Sequence, residues 1–244
     1  MNFFHKLVIR MKSLFKKIQK FQEDFIFKKT IKNSSIRRRK ITNMQRKYIC
    51  EQWNKNLVQF KKKYIKSLIF FQKNSVILEI GFGNGIFITQ LAKKFPKKFF
   101  LGIEVYLPGI ARCLQIIEEM KITNLKIIYF DAYSILQYMI PDNSIEEIFV
   151  FFPDPWNKNK HKKRRMLKKN FLEKIFKKLK YFGKFRMVSD SVSYIKEVKN
   201  ILKKSSYFHK IQNKTRVVKY LNTKYFFKKS QNSKILELSY KKLY

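Results

Sequence analysis

The stretch Val76-Ile77-Leu78-Glu79-Ile80-Gly81-Phe82-Gly83-Asn84-Gly85 decides the fold that we expect for this chain of 244 residues. Its first five residues form a short apolar run, typical of a buried strand, and three glycines in alternate positions follow almost at once. The glycines predict a sharp turn from the strand into a helix over 86–94. Strand, glycine turn and helix together make half of a nucleotide-binding βαβ unit.

Four successive predicted strands end at or beside an acidic residue. The strands cover 76–80, 99–105, 125–130 and 145–152, and the acids are Glu79, Glu104, Asp131 and Asp154. The carboxyl ends of parallel strands share one edge of a sheet, where open α/β sheets bind their ligands. We therefore expect an α/β, Rossmann-like fold with a mostly parallel seven-stranded sheet and helices on both faces. The remaining elements are helices at 44–71, 108–121, 132–139, 166–181 (closed by Gly183) and 192–204, and strands at 184–188, 209–218 and 234–241.

The glycine turn alone does not identify the ligand. Its spacing is Gly-x-Gly-x-Gly and not the Gly-x-Gly-x-x-Gly that seats a pyrophosphate, and Glu79 would repel a phosphate. Glu104 lies roughly 20 residues beyond the last glycine, the distance at which βαβ units place an acid on ribose hydroxyls. These features disfavour a nicotinamide-dependent oxidoreductase and favour a cationic adenosine derivative such as S-adenosylmethionine. Each acid taken alone is equally compatible with a salt bridge at the rim.

The fourth strand ends in Phe149-Val150-Phe151-Phe152-Pro153-Asp154-Pro155-Trp156, and a basic run follows it. Proline cannot donate to a sheet ladder, so the strand has to stop with Asp154 at its end. Cations in such a run suit phosphate oxygens, because each one displaces counterions from a polyanion. A strand-to-helix turn with a solvated charge run is the alternative interpretation. The basic residues are Lys158, Lys160, His161, Lys162, Lys163, Arg164 and Arg165.

Composition narrows the choice of partner less than this loop does. The chain has 56 Lys and Arg against 16 Asp and Glu, a net charge of +40, which attracts either nucleic acid or an acidic membrane. Lys, Phe, Ile, Asn and Tyr are abundant throughout, which suggests AT-rich coding, so the local cluster carries more weight than the net charge. Two cysteines predict a reducing cytoplasm without disulfides or a zinc site. We see neither a secretory signal nor an apolar run of roughly 18 residues.

Residues 1–45 are expected to form a basic N-terminal extension, helical or partly disordered, ahead of one domain over 46–244. Apolar residues three or four apart between Leu7 and Phe25 put a stripe on a basic helix. This helix could lie on a membrane or on RNA, but we expect it either to pack against the body of the protein or to be partly disordered. The basic stretch at 34–40 is equally compatible with a linker and with a contact to a nucleic-acid backbone.

Taken together, these motifs resemble the bacterial tRNA (guanine-N7-)-methyltransferases. Glu79-x-Gly81-x-Gly83-x-Gly85 looks like the first motif of the Rossmann-like, S-adenosylmethionine-dependent methyltransferases. Pro153-Asp154-Pro155-Trp156 and the basic run are similar to the signature of the tRNA family, and the resemblance runs from about Ile36 to the C-terminus. Methyltransferases that act on amino groups carry paired prolines at this point, and those are absent here.

The resemblance implies methyl transfer from S-adenosylmethionine to N7 of guanosine at tRNA position 46, in the variable loop. N7 carries a lone pair and no proton, so aligning the reacting atoms matters more than base catalysis. Asp154 is the candidate catalytic residue, which would fix the N1 and N2 edge of the guanine, and Trp156 would either stack or brace the loop. We expect tRNA as the partner, no membrane, no metal, and a monomer or weak homodimer. The implied cofactor-binding residues are Glu79, Gly81, Gly83, Gly85, Glu104, Asp131, Ala132 and Asp154, and the implied substrate-binding residues are Lys158, Lys160, His161, Lys162, Lys163, Arg164, Arg165, Asp190, Thr223 and Phe226.

One departure from the family lies near the C-terminus. The family motif is close to Thr-Lys-Phe-Glu-x-Arg, and this chain has Thr223-Lys224-Tyr225-Phe226-Phe227-Lys228. Phe226 replaces an acid that would help to grip guanine, and Lys228 lacks the bidentate geometry of arginine. Three alternatives stay open: lower activity, substitution by another acid, or a tRNA-binding protein that keeps the scaffold without catalysis.

Overall fold

A computed structural model describes residues 42–45, 49, 55–63, 75–211, 231 and 234–243 of the chain. The predicted N-terminal extension lies outside the described residues except for 42–45, and its boundary with the domain stays a prediction. Thr223 and Phe226 also lie outside the described residues.

A seven-stranded sheet forms the centre of the described structure. The order is β3-β2-β1-β4-β5-β7-β6, with β1 to β5 paired in parallel and β7 antiparallel to both β5 and β6. The predicted fold class is confirmed. Because the chain order reverses between β1 and β4, a ligand crevice is expected at the carboxyl ends of these two strands. The strands are β1 Val76–Ile80, β2 Phe99–Glu104, β3 Leu125–Tyr129, β4 Ile145–Phe151, β5 Leu179–Ser189, β6 Phe208–Lys210 and β7 Leu236–Lys242.

Helices connect the strands and cover the sheet. All five residues of β1 are buried although neighbouring side chains point to opposite faces, so both faces of the sheet are covered at its centre. In the described ranges, no helix combines the length and the apolar character needed to cross a bilayer. The helices over 75–211 are α1 Ile86–Lys94, α2 Leu107–Glu119, α3 Ala132–Tyr138, α4 Lys169–Lys178 and α5 Val192–Lys203, and Asn159–Arg164 form a 3-10 helix within the basic run. The helix predicted over 44–71 is wrong at 57–63, where the chain is not helical and Leu57 forms a parallel bridge with Ile127 of β3.

The boundary between α4 and β5 differs from the prediction. The helix predicted over 166–181 ends at Lys178, and the strand begins at Leu179, five residues before the predicted start. Leu179 pairs with Ile145 on β4, where the register shifts by a bulge. Gly183 lies inside the strand, so it does not close the helix. The apolar spacing of α4 continues without a glycine or proline into the first residues of β5, so the local sequence gives no signal for the end of the helix. Pairing of Leu179 with β4 decides that boundary.

Candidate active site

The glycine turn after β1 has the backbone that only glycine adopts easily. Gly81, Gly83 and Gly85 have φ angles of 76°, 59° and 74°. A Cβ added at Gly81 or Gly83 would meet no atom within 4 Å, whereas one at Gly85 would lie 2.3 Å from the Sγ of Cys113 on α2. The first two glycines therefore border open space, and the third is held tightly against a helix.

Glu104 ties the end of β2 to this turn. The Gly83 N–H donates to its Oε2 at 2.8 Å, and the Val105 and Tyr106 N–H groups donate to its Oε1 at 2.6 and 3.0 Å. The residue is 8% exposed. Burial raises the pKa of Glu104, although the three backbone donors oppose this shift.

Glu79 is buried beside the same turn, with 3% of its surface exposed. Burial, followed by the nearby Glu104, raises the pKa of Glu79 to about 8. Its Oε2 atom is buried and has no hydrogen-bond partner among the described residues. An unpaired buried acceptor is costly, so the position suits a donor group that a ligand brings.

Asp131 lies at the end of β3 and caps the N-terminus of α3, whose first residue is Ala132. Its Oδ1 accepts a hydrogen bond from the Ser134 N–H at 2.9 Å, and burial raises the pKa of the carboxyl. Its Oδ2 is buried without a hydrogen-bond partner in the described part of the chain. One oxygen thus organises the helix, and the second is available to a ligand.

The loop after β4 has a left-handed backbone at two bulky residues, Phe152 (φ 45°) and Trp156 (φ 42°). Such conformations are held by their surroundings and are common at functional sites. The Phe152 N–H donates to the Val188 carbonyl of β5 at 2.7 Å, which anchors the start of the loop. Asp154 is exposed, and its charge helps to raise the pKa of Glu104. The charge of Glu104 in turn helps to raise the pKa of Glu79. The acids of β1, β2 and β4 therefore converge.

The basic run presents most of its charge to solvent. Lys158, Lys160, Lys163 and Arg164 are exposed, and His161 and Lys162 are half-buried. The Arg164 guanidinium lies 4.9 Å from the centre of the Trp156 ring, and the His161 ring meets Trp156 edge-on with centroids 5.7 Å apart. Trp156 therefore braces the loop, and its stacking on a base stays a prediction.

Arg165 does not lie where we predicted. It is 3% exposed, and its guanidinium donates to Pro155, Ser193 and Glu197. Within the basic run, Arg164 is consequently the last exposed cation. Asp190 is half-buried directly after β5 and so lies at the carboxyl edge of the sheet with Asp154.

Some residues that shape the site were not found from the sequence. A Cβ added at Gly109, in the first turn of α2, would lie 2.3 Å from the Gly83 carbonyl oxygen, so this helix needs glycine to approach the turn. A glycine within a helical pattern was the available signal. Ser193 and Glu197 gave none, because they look like ordinary polar residues of an amphipathic helix.

These features fit S-adenosylmethionine. Unpartnered buried acid oxygens at Glu79 and Asp131 suit its ammonium group and its adenine, and Glu104 stands between them on the middle strand, facing the glycine turn. Open space beside Gly81 and Gly83 leaves room for the methionine end. Fold and site together define the class of Rossmann-like methyltransferases, whose cofactor is S-adenosylmethionine.

Comparison with known proteins gives the family. The model of a family described as "Putative methyltransferase" matches residues 73–238. The tRNA (guanine-N(7)-)-methyltransferase of Buchnera aphidicola subsp. Baizongia pistaciae is 38% identical over 184 residues, covering 75% of this chain and 76% of that protein. The protein of the same name from Photobacterium profundum is 34% identical over 186 residues, or 76% of each chain. This chain belongs to the tRNA (guanine-N7-)-methyltransferase family.

Solved structures with the same fold are more distant in sequence. The 16S rRNA methyltransferase KamB superposes with a TM-score of 0.52 at 11% identity, covering 73% of this chain and 92% of that one. A 30S ribosomal A1408 methyltransferase from an uncultured bacterium gives a TM-score of 0.51 at 18% identity, covering 75% and 95%. At these identities the likeness supports the fold alone.

Proposed function

We propose that this protein transfers a methyl group from S-adenosylmethionine to N7 of guanosine 46 in the variable loop of tRNA. The observation that carries the proposal is the convergence of Glu79, Glu104 and Asp154 beside the open space at Gly81 and Gly83. The names of the relatives from Buchnera aphidicola and Photobacterium profundum supply the substrate class and the atom that is methylated.

Three acids hold the cofactor, which supplies an electrophilic methyl group when it is bound. Glu79 accepts hydrogen bonds from the ammonium group through its free Oε2. A carboxylate offers about four acceptor positions, and backbone donors occupy three of those on Glu104. The remaining position is suited to one ribose hydroxyl. Asp131 and Ala132 lie at the adenine.

Asp154 positions the guanine. Its exposed carboxylate accepts hydrogen bonds from the N1 and N2 donors of the base, and the braced loop keeps that carboxylate in place. Because N7 carries no proton, no base is needed to activate it. The rate gain comes from holding N7 in line with the methyl group, which alignment alone can make large.

The tRNA backbone binds along the basic run. Lys158, Lys160, Lys163 and Arg164 are exposed and each can neutralise a phosphate. His161 and Lys162 support them from half-buried positions, and Asp190 contributes a polar contact to the substrate from the end of β5. Thr223 and Phe226 complete the proposed set from outside the described residues. With tRNA as the substrate, the cytoplasm is the compartment that we propose for the protein.

The decisive experiment uses the full-length protein, labelled S-adenosylmethionine and an unmodified tRNA transcript that has guanosine at position 46. We expect 7-methylguanosine in nuclease digests and strand scission at position 46 after chemical cleavage at the modified base. The matched control is the same transcript with adenosine 46, which should accept no label. Methylation elsewhere would disprove the position. Binding of tRNA without product, where a relative is active under the same conditions, would favour a non-catalytic protein.

A further inference from the structure

Arg165 closes the basic run, but its surroundings differ from those of the cations before it. Lys158 and Arg164 are exposed to solvent, whereas the side chain of Arg165 is 1% exposed. A buried guanidinium is costly unless its donors are satisfied. The partners of Arg165 therefore indicate what it does.

Three donor atoms of the Arg165 guanidinium have partners, which lie on two different parts of the site. Nε donates to the Pro155 carbonyl oxygen at 2.8 Å, Nη2 donates to the Ser193 Oγ at 2.9 Å, and Nη1 pairs with the Glu197 carboxylate at 2.5 Å. The guanidinium also lies 4.7 Å from the centre of the Tyr194 ring. Glu197 supplies the opposite charge that makes this burial tolerable.

The first contact fixes the loop that carries Asp154. Pro155 lies between Asp154 and Trp156, and Trp156 has a left-handed backbone that costs a bulky residue free energy. The Pro155 carbonyl belongs to the peptide unit between Pro155 and Trp156, so the hydrogen bond from Arg165 holds the loop directly after Asp154. It therefore limits the directions that the Asp154 side chain can take.

The other contacts fix the start of α5. Ser193 and Glu197 lie one turn apart on this helix, which begins at Val192, two residues after Asp190. The Tyr194 hydroxyl accepts a hydrogen bond from the Leu167 N–H at 2.9 Å, so the chain after Arg165 is docked on the same helix. Arg165 thus joins the loop with Asp154 to the segment with Asp190.

We propose that Arg165 is a positioning residue which sets the separation of Asp154 and Asp190, the two acids proposed to contact the tRNA substrate, and that it does not bind phosphate. The inference rests on the proposed methyl transfer for its kinetic consequence. We call the contacts of Arg165 with Pro155, Ser193 and Glu197 the Arg165 bridge. This bridge exists in the protein without substrate, so it can be tested without measuring any reaction.

The kinetic test compares Arg165→Met and Arg165→Lys with the wild-type protein. For Arg165→Met we expect kcat to fall by about 30- to 100-fold at saturating tRNA and cofactor. The dissociation constant for tRNA should stay within about threefold, and its salt dependence should not change, because no phosphate contact is lost. Lysine keeps the charge but cannot reach three separate acceptors, so Arg165→Lys should recover little of the lost rate.

Arg164 provides the matched control, since it is the neighbouring arginine but is exposed. Arg164→Ala should weaken tRNA binding by about three- to tenfold and reduce the salt dependence of binding. If Arg165→Met behaved like Arg164→Ala, or if Arg165→Lys restored the wild-type rate, charge towards RNA would be the role of Arg165 and the bridge would be refuted.

Ser193→Ala covers the case in which Arg165→Met does not fold. It removes one neutral acceptor and leaves the ion pair with Glu197 in place. We expect a three- to fivefold lower kcat with unchanged affinity for tRNA. An unchanged kcat would contradict the bridge.

Hydrogen exchange separates this inference from the proposed function. In the ligand-free protein, Ser193→Ala or Arg165→Met should speed amide exchange over 156–164 by about tenfold while exchange in β1 stays the same. Faster exchange in a protein that never methylates tRNA would leave the bridge standing and refute the proposed function. If the wild-type protein methylated tRNA but the variants showed unchanged exchange and unchanged kcat, the proposed function would stand and the bridge would be refuted.

Discussion

The acidic pocket at the ends of β1 and β2 and the basic run from Lys158 to Arg165 hold charge in opposite ways. Glu79 and Glu104 are buried and have raised pKa values, whereas Lys158 and Lys160 are exposed to solvent. A buried charge acts strongly on its neighbours, and an exposed one is weak and screened by salt. We therefore expect substitutions in the pocket to have large and separate effects, and those in the basic run to have small effects that add.

Asp154 lies between the two regions, and its substitution should have the largest effect. Asp154→Asn keeps the size of the side chain but offers a donor where the carboxylate accepts from guanine. We expect kcat to fall by about 100- to 1,000-fold while tRNA affinity, which depends on the lysines, changes by less than about threefold. Rates at saturating tRNA and filter binding measure the two quantities. Glu118→Gln is the control, because Glu118 is an exposed acid on α2 away from the proposed site. If Asp154→Asn lost tRNA affinity as well as rate, Asp154 would contribute to tRNA binding and not to positioning the guanine alone.

Within the pocket, two glycines with nearly the same backbone should respond differently. Gly85→Ala combines a φ of 74° with a Cβ placed 2.3 Å from Cys113, so we expect about 3 kcal/mol lower unfolding free energy. Gly81→Ala has a φ of 76° and no atom within 4 Å, so the loss should be about 1 to 2 kcal/mol. Urea denaturation of both variants measures the difference. Equal losses would mean that the helix yields to the added methyl group.

Gly81→Ala also tests the open space as a binding site. The new methyl group points into the volume assigned to the methionine end of the cofactor, so binding of S-adenosylhomocysteine should weaken by about tenfold even though the protein stays folded. Titration calorimetry on the folded variant provides the measurement. If the affinity of Gly81→Ala for S-adenosylhomocysteine were unchanged, the cofactor would not bind beside Gly81.

Glu79 should make cofactor binding depend on pH. Its pKa is raised to about 8 in the free protein, and a bound ammonium group favours the ionised form. Below pH 8 binding must therefore release a proton, and affinity for S-adenosylhomocysteine should rise by up to about tenfold per pH unit before levelling off near pH 8. Calorimetry in buffers of different ionisation enthalpy detects the proton. Glu79→Gln should abolish this dependence, and a variant that kept it would assign the proton to another group.

The same carboxyl should lower the stability of the free protein as pH rises. The pKa of Glu79 is about 8 in the folded protein, whereas the ordinary value of 4.5 applies to the unfolded chain. Between pH 4.5 and pH 8 the folded chain therefore binds more protons than the unfolded chain. Stability then falls with rising pH across this window. Thermal unfolding at pH 5 and pH 8 should show a smaller difference in Glu79→Gln than in the wild type.

The sequence predicted the parts of the molecule that local signals determine. β1 ends directly before Gly81 and β4 ends just before Pro153, so local residues set both boundaries. β2 and β3 lack such residues at their carboxyl ends, but their apolar character stops at Glu104 and close to Asp131.

The prediction failed where distant pairing decides. The end of α4 depends on β4, and the burial of Arg165 depends on Glu197, 32 residues along the chain. Within a run of seven basic residues, no local pattern distinguishes the buried one.

Single lysines of the basic run should have the smallest effects. Lys163→Ala should weaken tRNA binding by about two- to fivefold near 0.15 M salt and lower the slope of log Kd against log salt by about 0.7 to 0.9, as for one phosphate contact. Lys160→Ala should reduce tRNA affinity and the salt slope by similar amounts. In the double variant the two losses of binding free energy should add, because exposed charges couple weakly. Lys97→Ala is the control: this exposed lysine lies before β2, at the opposite edge of the sheet. If all three lysines altered the slope equally, the general positive charge of the chain, and not the basic run, would hold the tRNA.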